Sequence, residues 1–339
     1  MTVILAVHTV MTARMAWGKI FRDGAVQFLI FLLFVINAPA TANEPLLERA
    51  WQDLQYLSSD QMAGRYPESA GHQLAQQFIV DRFAQLKLQP LQQDYRHPFE
   101  FNSGIFSTRR GVNLVAKLTG CRFPQSYVVV TAHYDHLNSH GGRVFNGADD
   151  NASGVAGMLY LAAILSQRCP AYSYIFIATD AEEHGLDGAK AWLQSNVIPR
   201  ASQLLNINLD MISRGEKRQR LYLAGKRSFP ALAALTGRQS GKVKLVLGHD
   251  RRSRVGALAQ PRDQVDWSNA SDHAEFRRAG IPYMYFGVDV HSDYHTPTDD
   301  WQNIEPSFFY AALQLIAQSV VWVEQQEPSL FEQSRRAGS

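Results

Sequence analysis

Five short clusters of histidine and carboxylate side chains mark this 339-residue sequence. They are His133-Tyr134-Asp135-His136, Gly147-Ala148-Asp149-Asp150-Asn151, Asp180-Ala181-Glu182-Glu183-His184-Gly185, Asn208-Leu209-Asp210 and His291-Ser292-Asp293-Tyr294-His295-Thr296-Pro297. Each has an ordinary explanation when taken singly. A His-x-Asp is a common hydrogen-bonded pair, and two acids before a helix complement its dipole. Together they suit a pair of divalent metals. Zinc accepts histidine nitrogen and carboxylate oxygen, and a catalytic zinc keeps one position open for water. Two zincs about 3.5–4 Å apart need a carboxylate between them and share a hydroxide. Two histidines, two terminal carboxylates and one bridging carboxylate meet that need, and a further glutamate remains to serve as general base.

The elements around these clusters predict how they are brought together. Tyr127 to Ala132, Tyr174 to Thr179, Leu204 to Leu209 and Pro282 to Phe286 are short apolar runs of the kind found in buried strands. Between and around them lie helical patterns: His72 to Leu88, with Leu74, Phe78, Ile79, Phe83 and Leu86 on one face; Ala152 to Gln167, capped by Asn151 or Ser153; Gly188 to Ser195; and Phe308 to Val323 behind Pro306. Strands alternating with helices predict an α/β fold, a mixed and mostly parallel sheet with helices on both faces. In such sheets ligands bind beyond the carboxyl ends of the strands. Every one of the five clusters falls where a strand hands over to a loop.

As an ordered set, these motifs resemble the co-catalytic two-zinc aminopeptidase family of zinc-dependent exopeptidases, whose relatives include glutamate carboxypeptidases and glutaminyl cyclases. The resemblance spans nearly all of the chain beyond its first forty residues. It includes Leu57-Ser58-Ser59-Asp60 and Ala63-Gly64-Arg65, which are typical of exported bacterial members. It implies a three-layer sandwich, two Zn2+ ions as cofactors and peptides as substrates. Carried over by position, His133, Asp149, Glu183, Asp210 and His295 become the metal ligands, with Asp149 as the bridge and a cis peptide after it. His133 and Glu183 then share one zinc, and Asp210 and His295 the other. Glu182 becomes the general base, and Asp135 the carboxylate that fixes the His133 tautomer. Tyr294 is expected to support the oxyanion. Asp272 and His273 recur near the substrate pocket in the family, without a role assigned by sequence. His136, His140 and His184 are expected to be loop or supporting histidines and not ligands.

The remaining composition narrows the field. With 46% hydrophobic and 19% charged residues the chain is globular, and a net charge of +2 without any basic block argues against nucleic acid. Two cysteines exclude a disulfide framework or a thiolate cluster. Cys121 and Cys169 each precede an apolar strand, so they could pair if those strands are neighbours. Lys19 and Arg22, an apolar run of about 12 residues and Ala38-Pro39-Ala40-Thr41-Ala42 describe a secretory leader ending near Ala42. That run is too short to span a bilayer, which takes roughly 20 apolar residues. The expected organisation is therefore a signal peptide over 1–42 and a single catalytic domain over 43–339, exported to the periplasm or beyond without a stable membrane anchor. A start at Met15 would leave an ordinary leader of 28 residues. The leader carries Arg14, Lys19 and Arg22 against Asp23, so its removal leaves 30 basic and 30 acidic residues.

Rival readings share the fold. A carboxypeptidase would need cations for the substrate carboxylate, which Arg251, Arg252 and Arg254 could supply. A glutaminyl cyclase needs a single zinc, and a non-catalytic ectodomain would have lost its ligands. The full ligand set disfavours both. No His-Glu-x-x-His, Gly-x-Ser-x-Gly, phosphate loop or dinucleotide fingerprint is present. Side-chain specificity is expected to reside in the Arg214 to Asn269 segment, within the 84-residue interval between Asp210 and His295.

Overall fold

A computed structural model describes residues 44–104, 107–139, 141–215, 217–248 and 266–338. The chain divides into two compact units, Met1–Pro45 and Leu46–Ser339, and the first falls almost wholly outside the described residues, as does the expected leader over 1–42.

Among the described residues, ten strands form one sheet: β1 (Gln89–Pro90), β2 (Arg96–Gly104), β3 (Ser107–Leu118), β4 (Phe123–His133), β5 (Tyr172–Thr179), β6 (Gln203–Leu209), β7 (Arg220–Ala224), β8 (Gln239–Ser240), β9 (Val243–Leu247) and β10 (Tyr283–Gly287). Their order is β1-β3-β5-β4-β6-β10-β7-β9-β8, with β2 paired to β3. The centre, β5-β4-β6-β10, is parallel throughout, and its carboxyl ends share one edge. The flanking contacts β3–β5, β10–β7 and β9–β8 are antiparallel.

The four apolar runs predicted as strands are these four parallel strands. Burial on both faces is why they read as unbroken apolar runs. Val128, Val130 and Ala132 of β4 point into a large core with α1 (Glu44–Leu57), α2 (Ala70–Gln85), α3 (Gly154–Ser166) and α6 (Pro306–Glu324). Val129 points the other way, with Ile175 and Ile177, toward α4 (Asp187–Ser195) and Phe276 of α5 (His273–Arg278). A last helix, α7 (Pro328–Gly338), adds Phe331 to the large core. The three-layer arrangement follows directly from this alternation.

One local expectation needs amendment, and one open choice is settled. Helix α2 buries Ala75, Ile79 and Phe83 but also His72 and Arg82, while Leu74 is 39% exposed. Its inner face is therefore rotated from the one predicted, because Asp53 offers Arg82 a buried partner at 3.0 Å and Asp180 lies 3.0 Å from His72. Helix α3 is preceded by a π-type turn over Ala148–Ser153, and Asn151, not Ser153, caps it by accepting the Gly154 amide at 2.9 Å. The Asn151-Ala152-Ser153 sequence is fully interior. Cys121 and Cys169 form a disulfide with a Cα–Cα distance of 5.8 Å, as the adjacency of β4 and β5 allows.

Candidate metal centre

The five clusters meet at the carboxyl edge of the parallel strands. His133 is the last residue of β4, and Glu182 and Glu183 lie on the loop after β5. Asp210 follows β6 directly, and Tyr294 and His295 lie on the loop beyond β10. They line a cavity of about 70 Å³ together with Asp150 and an apolar wall that includes Met211, Trp267 and Tyr285.

Asp150 occupies the middle of the cluster. One carboxylate oxygen, Oδ1, lies 3.2 Å from His133 Nε2, and the other, Oδ2, lies 3.1 Å from His295 Nε2. His133 Nε2 is also 3.4 Å from Asp210 Oδ1, and His295 Nε2 is 3.3 Å from Glu183 Oε2. The geometry therefore groups His133 with Asp210 on one side of Asp150 and Glu183 with His295 on the other. This differs from the expected pairing of His133 with Glu183 and of Asp210 with His295. Strand order alone does not set this, because β4 lies between β5 and β6 and so has both neighbours; the loop after β5 and the loop beyond β10 bring Glu183 and His295 together.

Asp149 is not in the middle. Its Oδ1 accepts the Ser213 amide at 2.7 Å and the Ser213 hydroxyl at 2.6 Å, with Ser153 Oγ at 3.3 Å. Its Oδ2 lies 3.0 Å from His291 Nε2. The expectation that Asp149 stands between the metals is thus corrected to its neighbour. The turn is the physical cause. Asp150 adopts an extended conformation (φ −107°, ψ 89°) inside the π-type turn, so the two adjacent side chains diverge. The cis peptide follows Asp150 and not Asp149.

Supporting contacts hold this arrangement from behind. The Asp299 carboxylate accepts the amides of Asp149 and Asp150, each at 3.0 Å. Asp135 accepts the Glu182 amide at 3.1 Å and the Glu183 amide at 3.4 Å. His133 Nδ1 is closer to the Asp135 backbone carbonyl, at 3.2 Å, than to its carboxylate, at 3.7 Å. Asp135 therefore fixes the glutamate loop through its side chain and faces His133 through its main chain. Arg65, fully buried, donates to the carbonyls of Leu57, Tyr134, Asn146 and Gly147, which ties the loops after β4 and before α3 to the N-terminal segment. Gly64 beside it lets the chain approach, since a Cβ there would meet the Leu137 carbonyl at 2.4 Å.

The electrostatics are those of a crowded acidic site. Burial pushes the Glu182 carboxyl well above the usual range, although His133 pulls against it, and burial likewise raises Asp210. Burial opposes ionisation of Asp150 too, but contacts with His133 and His295 hold it well below the usual range. Glu183 is lowered to about 2, because His136 and His295 outweigh burial and the neighbouring Asp150. Burial disfavours a charged His295, yet Asp150 and Glu183 lift it to about 10. Burial pushes the Tyr294 phenol upward, and its ring stacks on His295 with centroids 3.8 Å apart.

These residues fit a pair of divalent cations. His133 Nε2, Asp210 Oδ1 and His295 Nε2 are buried and make no hydrogen bond. Buried polar atoms without partners are costly, and a metal satisfies them. Two groups each offer ligand atoms within 4.8 Å of one another: His133, Glu182 and Asp210, and His136, Asp150 and Glu183. His136 belongs to a group that the sequence had placed outside the ligand set. Asp299, four residues past His295, was also missed; its signal is the Thr298-Asp299-Asp300 run. Asp272 bonds Thr179 Oγ1, and burial raises it to about 7. His273 lies 2.6 Å by Nε2 from the Trp267 carbonyl and stacks on Tyr285, so it braces the apolar wall. Arg251, Arg252, Arg254 and His140 lie outside the described residues.

Comparison with known proteins places this geometry in context. The model of peptidase family M28 matches residues 113–320. Aminopeptidase YwaD of Bacillus subtilis is 31% identical over 206 residues, 57% of this chain and 40% of its own. The solved structure of BSAP, a zinc aminopeptidase from Bacillus subtilis, matches with a TM-score of 0.62 at 16% identity, over 84% of this chain and 97% of its own. Porphyromonas gingivalis glutaminyl cyclase matches with a TM-score of 0.60 at 19% identity, over 82% of this chain and 97% of its own. Both structural likenesses show the fold, mixed α/β around a central mixed sheet. The chain spans about two fifths or less of the length of the curated relatives it matches.

Proposed function

This chain belongs to peptidase family M28, and from that premise we propose that it is an exported two-zinc aminopeptidase, removing N-terminal residues from peptides. The observation that carries the reading is the symmetric placement of His133–Asp210 and Glu183–His295 on either side of the Asp150 carboxylate. One zinc would be held by His133 and Asp210 and the other by Glu183 and His295, with Asp150 common to both. Bound there, the pair supplies Lewis acidity that activates water and polarises the scissile carbonyl.

The chain's own residues do the rest. Glu182, raised by burial and held at its amide by Asp135, takes the proton of the attacking water and returns it to the leaving amine. The Tyr294 phenol, kept protonated by burial and seated on His295, donates to the developing oxyanion. Met211, Trp267, Tyr285, Val288 and Val290 give the cavity an apolar side, which favours an aliphatic or aromatic N-terminal residue. The names of the relatives support the aminopeptidase reading over the carboxypeptidase one. Export is supported by the leader pattern of the first 42 residues and by the Cys121–Cys169 bond, which persists in oxidising compartments.

The test is purified, zinc-loaded protein against three substrate sets: aminoacyl amides with a free amine, their N-blocked counterparts and peptides with a free C-terminus. Hydrolysis of the first set, with leucyl above glutamyl and lysyl amides, is the expected result. Cleavage of blocked but not free-amine substrates overturns the aminopeptidase reading. Cyclisation of N-terminal glutamine in its place would make the protein a cyclase.

A further inference from the structure

The candidate ligand set leaves one fully buried histidine at the metal cluster without a role. His136 has no solvent exposure, its Nδ1 lies 2.9 Å from Glu183 Oε1, and its Nε2 makes no hydrogen bond. Nδ1 is 3.9 Å from Asp150 Oδ2, farther than His295 Nε2, which sits 3.1 Å from that oxygen and 3.3 Å from Glu183 Oε2. The two histidines thus address different oxygens of Glu183: His136 the outer one, His295 the inner one.

An ionised carboxylate only accepts hydrogen bonds, so a nitrogen 2.9 Å from Glu183 Oε1 carries a hydrogen. Nδ1, the ring atom that faces Glu183 and Asp150, therefore cannot ligate a metal there. The ring is also built in: a Cβ at Gly147, whose φ is +53°, would meet His136 Cδ2 at 2.5 Å and Cγ at 2.6 Å. The Gly147 carbonyl is in turn fixed by Arg65 at 3.0 Å.

We propose that His136 is a positioning residue for the second metal, donating Nδ1–H to Glu183 Oε1 so that only Oε2 faces the metal beside His295 and Asp150. This rests on the two-zinc reading. Without the donor, the Glu183 carboxylate is free to turn or to chelate through both oxygens, and the site loses its preset geometry. Partners of this kind set metal affinity by roughly 10–100-fold. The His133–Asp210 position does not depend on it.

The test is a chelator-competition titration of zinc on the wild-type protein, His136→Ala and His136→Asn, with X-ray absorption on the dizinc wild type. His136→Ala should weaken one of two zincs by roughly 10–100-fold and leave the other unchanged. The asparagine amide places an N–H close to the position of Nδ1–H, so His136→Asn should recover most of the loss. The absorption spectrum should show an average of about one imidazole per zinc, from His133 and His295 alone. If His136→Ala binds both zincs as tightly as wild type, the role is overturned while the two-zinc reading stands. An average near 1.5 imidazoles, or His136→Asn as weak as His136→Ala, makes His136 a ligand and overturns it too. If wild type binds fewer than two zincs, the reading beneath the proposal fails. The spectrum on wild type decides the matter even if a variant does not fold.

Discussion

The Asp149 carboxylate receives the Ser213 hydroxyl at 2.6 Å and faces away from His133 and His295, although its neighbour Asp150 lies between them. Two adjacent acids therefore do separate work, one structural and one at the metal cluster. Asp149→Asn should keep both zincs and cost about 1–3 kcal/mol of stability, since Ser213, Ser153 and His291 lose a charged partner. Asp150→Asn should reduce zinc stoichiometry and abolish turnover with a smaller effect on folding of the metal-free protein. Metal analysis beside denaturant unfolding checks this; the opposite assignment of effects restores Asp149 as the bridge.

Glu182→Gln should bind two zincs with unchanged affinity and lose roughly 10²–10⁴-fold in kcat, the usual contribution of a positioned base. The amide cannot accept the water proton, but it preserves shape and the backbone contact with Asp135. Near-normal turnover in this variant would remove Glu182 as the base.

His273 gives a pH signature in stability. Burial, partly offset by the Trp267 carbonyl, lowers it to about 3, while an unfolded histidine titrates near 6.5. Between those values the unfolded chain binds the extra proton, so stability rises with pH across that window. One proton corresponds to a slope of about 1.4 kcal/mol per pH unit. His273→Asn should flatten the unfolding free energy by about that slope between pH 4 and 6. An unchanged slope would mean that the buried ring takes up its proton in the folded state.

Reduction of the Cys121–Cys169 bond, or Cys121→Ser with Cys169→Ser, should lower stability by about 2–4 kcal/mol. The bond closes a sequence separation of 48 and ties the loop before β4 to the loop before β5. Both loops are at the sheet edge opposite the metal cluster, so zinc affinity should not move. Unfolding midpoints with and without reductant provide the measurement.

The sequence by itself determined the parallel centre, because strands buried on both faces read as continuous apolar runs whatever surrounds them. It also determined that His133, Glu182, Glu183, Asp210 and His295 share one edge, since a parallel strand delivers its last residues to the same side each time. The flanks of the sheet, β2 with β3 and β7 to β9, carry mixed apolar and charged residues and left no such trace. Only the tertiary structure decided between Asp149 and Asp150, because that choice depends on the φ and ψ of a single residue inside a turn. Only the folded loops decided which ligands sit together: β4 lies between β5 and β6, so strand order would set His133 beside Glu183 as readily as beside Asp210, and no spacing along the chain encodes the choice. The role of Arg65 was hidden for the same reason. Its motif is visible in the sequence, but the carbonyls it holds come from loops separated from it by as many as 82 residues.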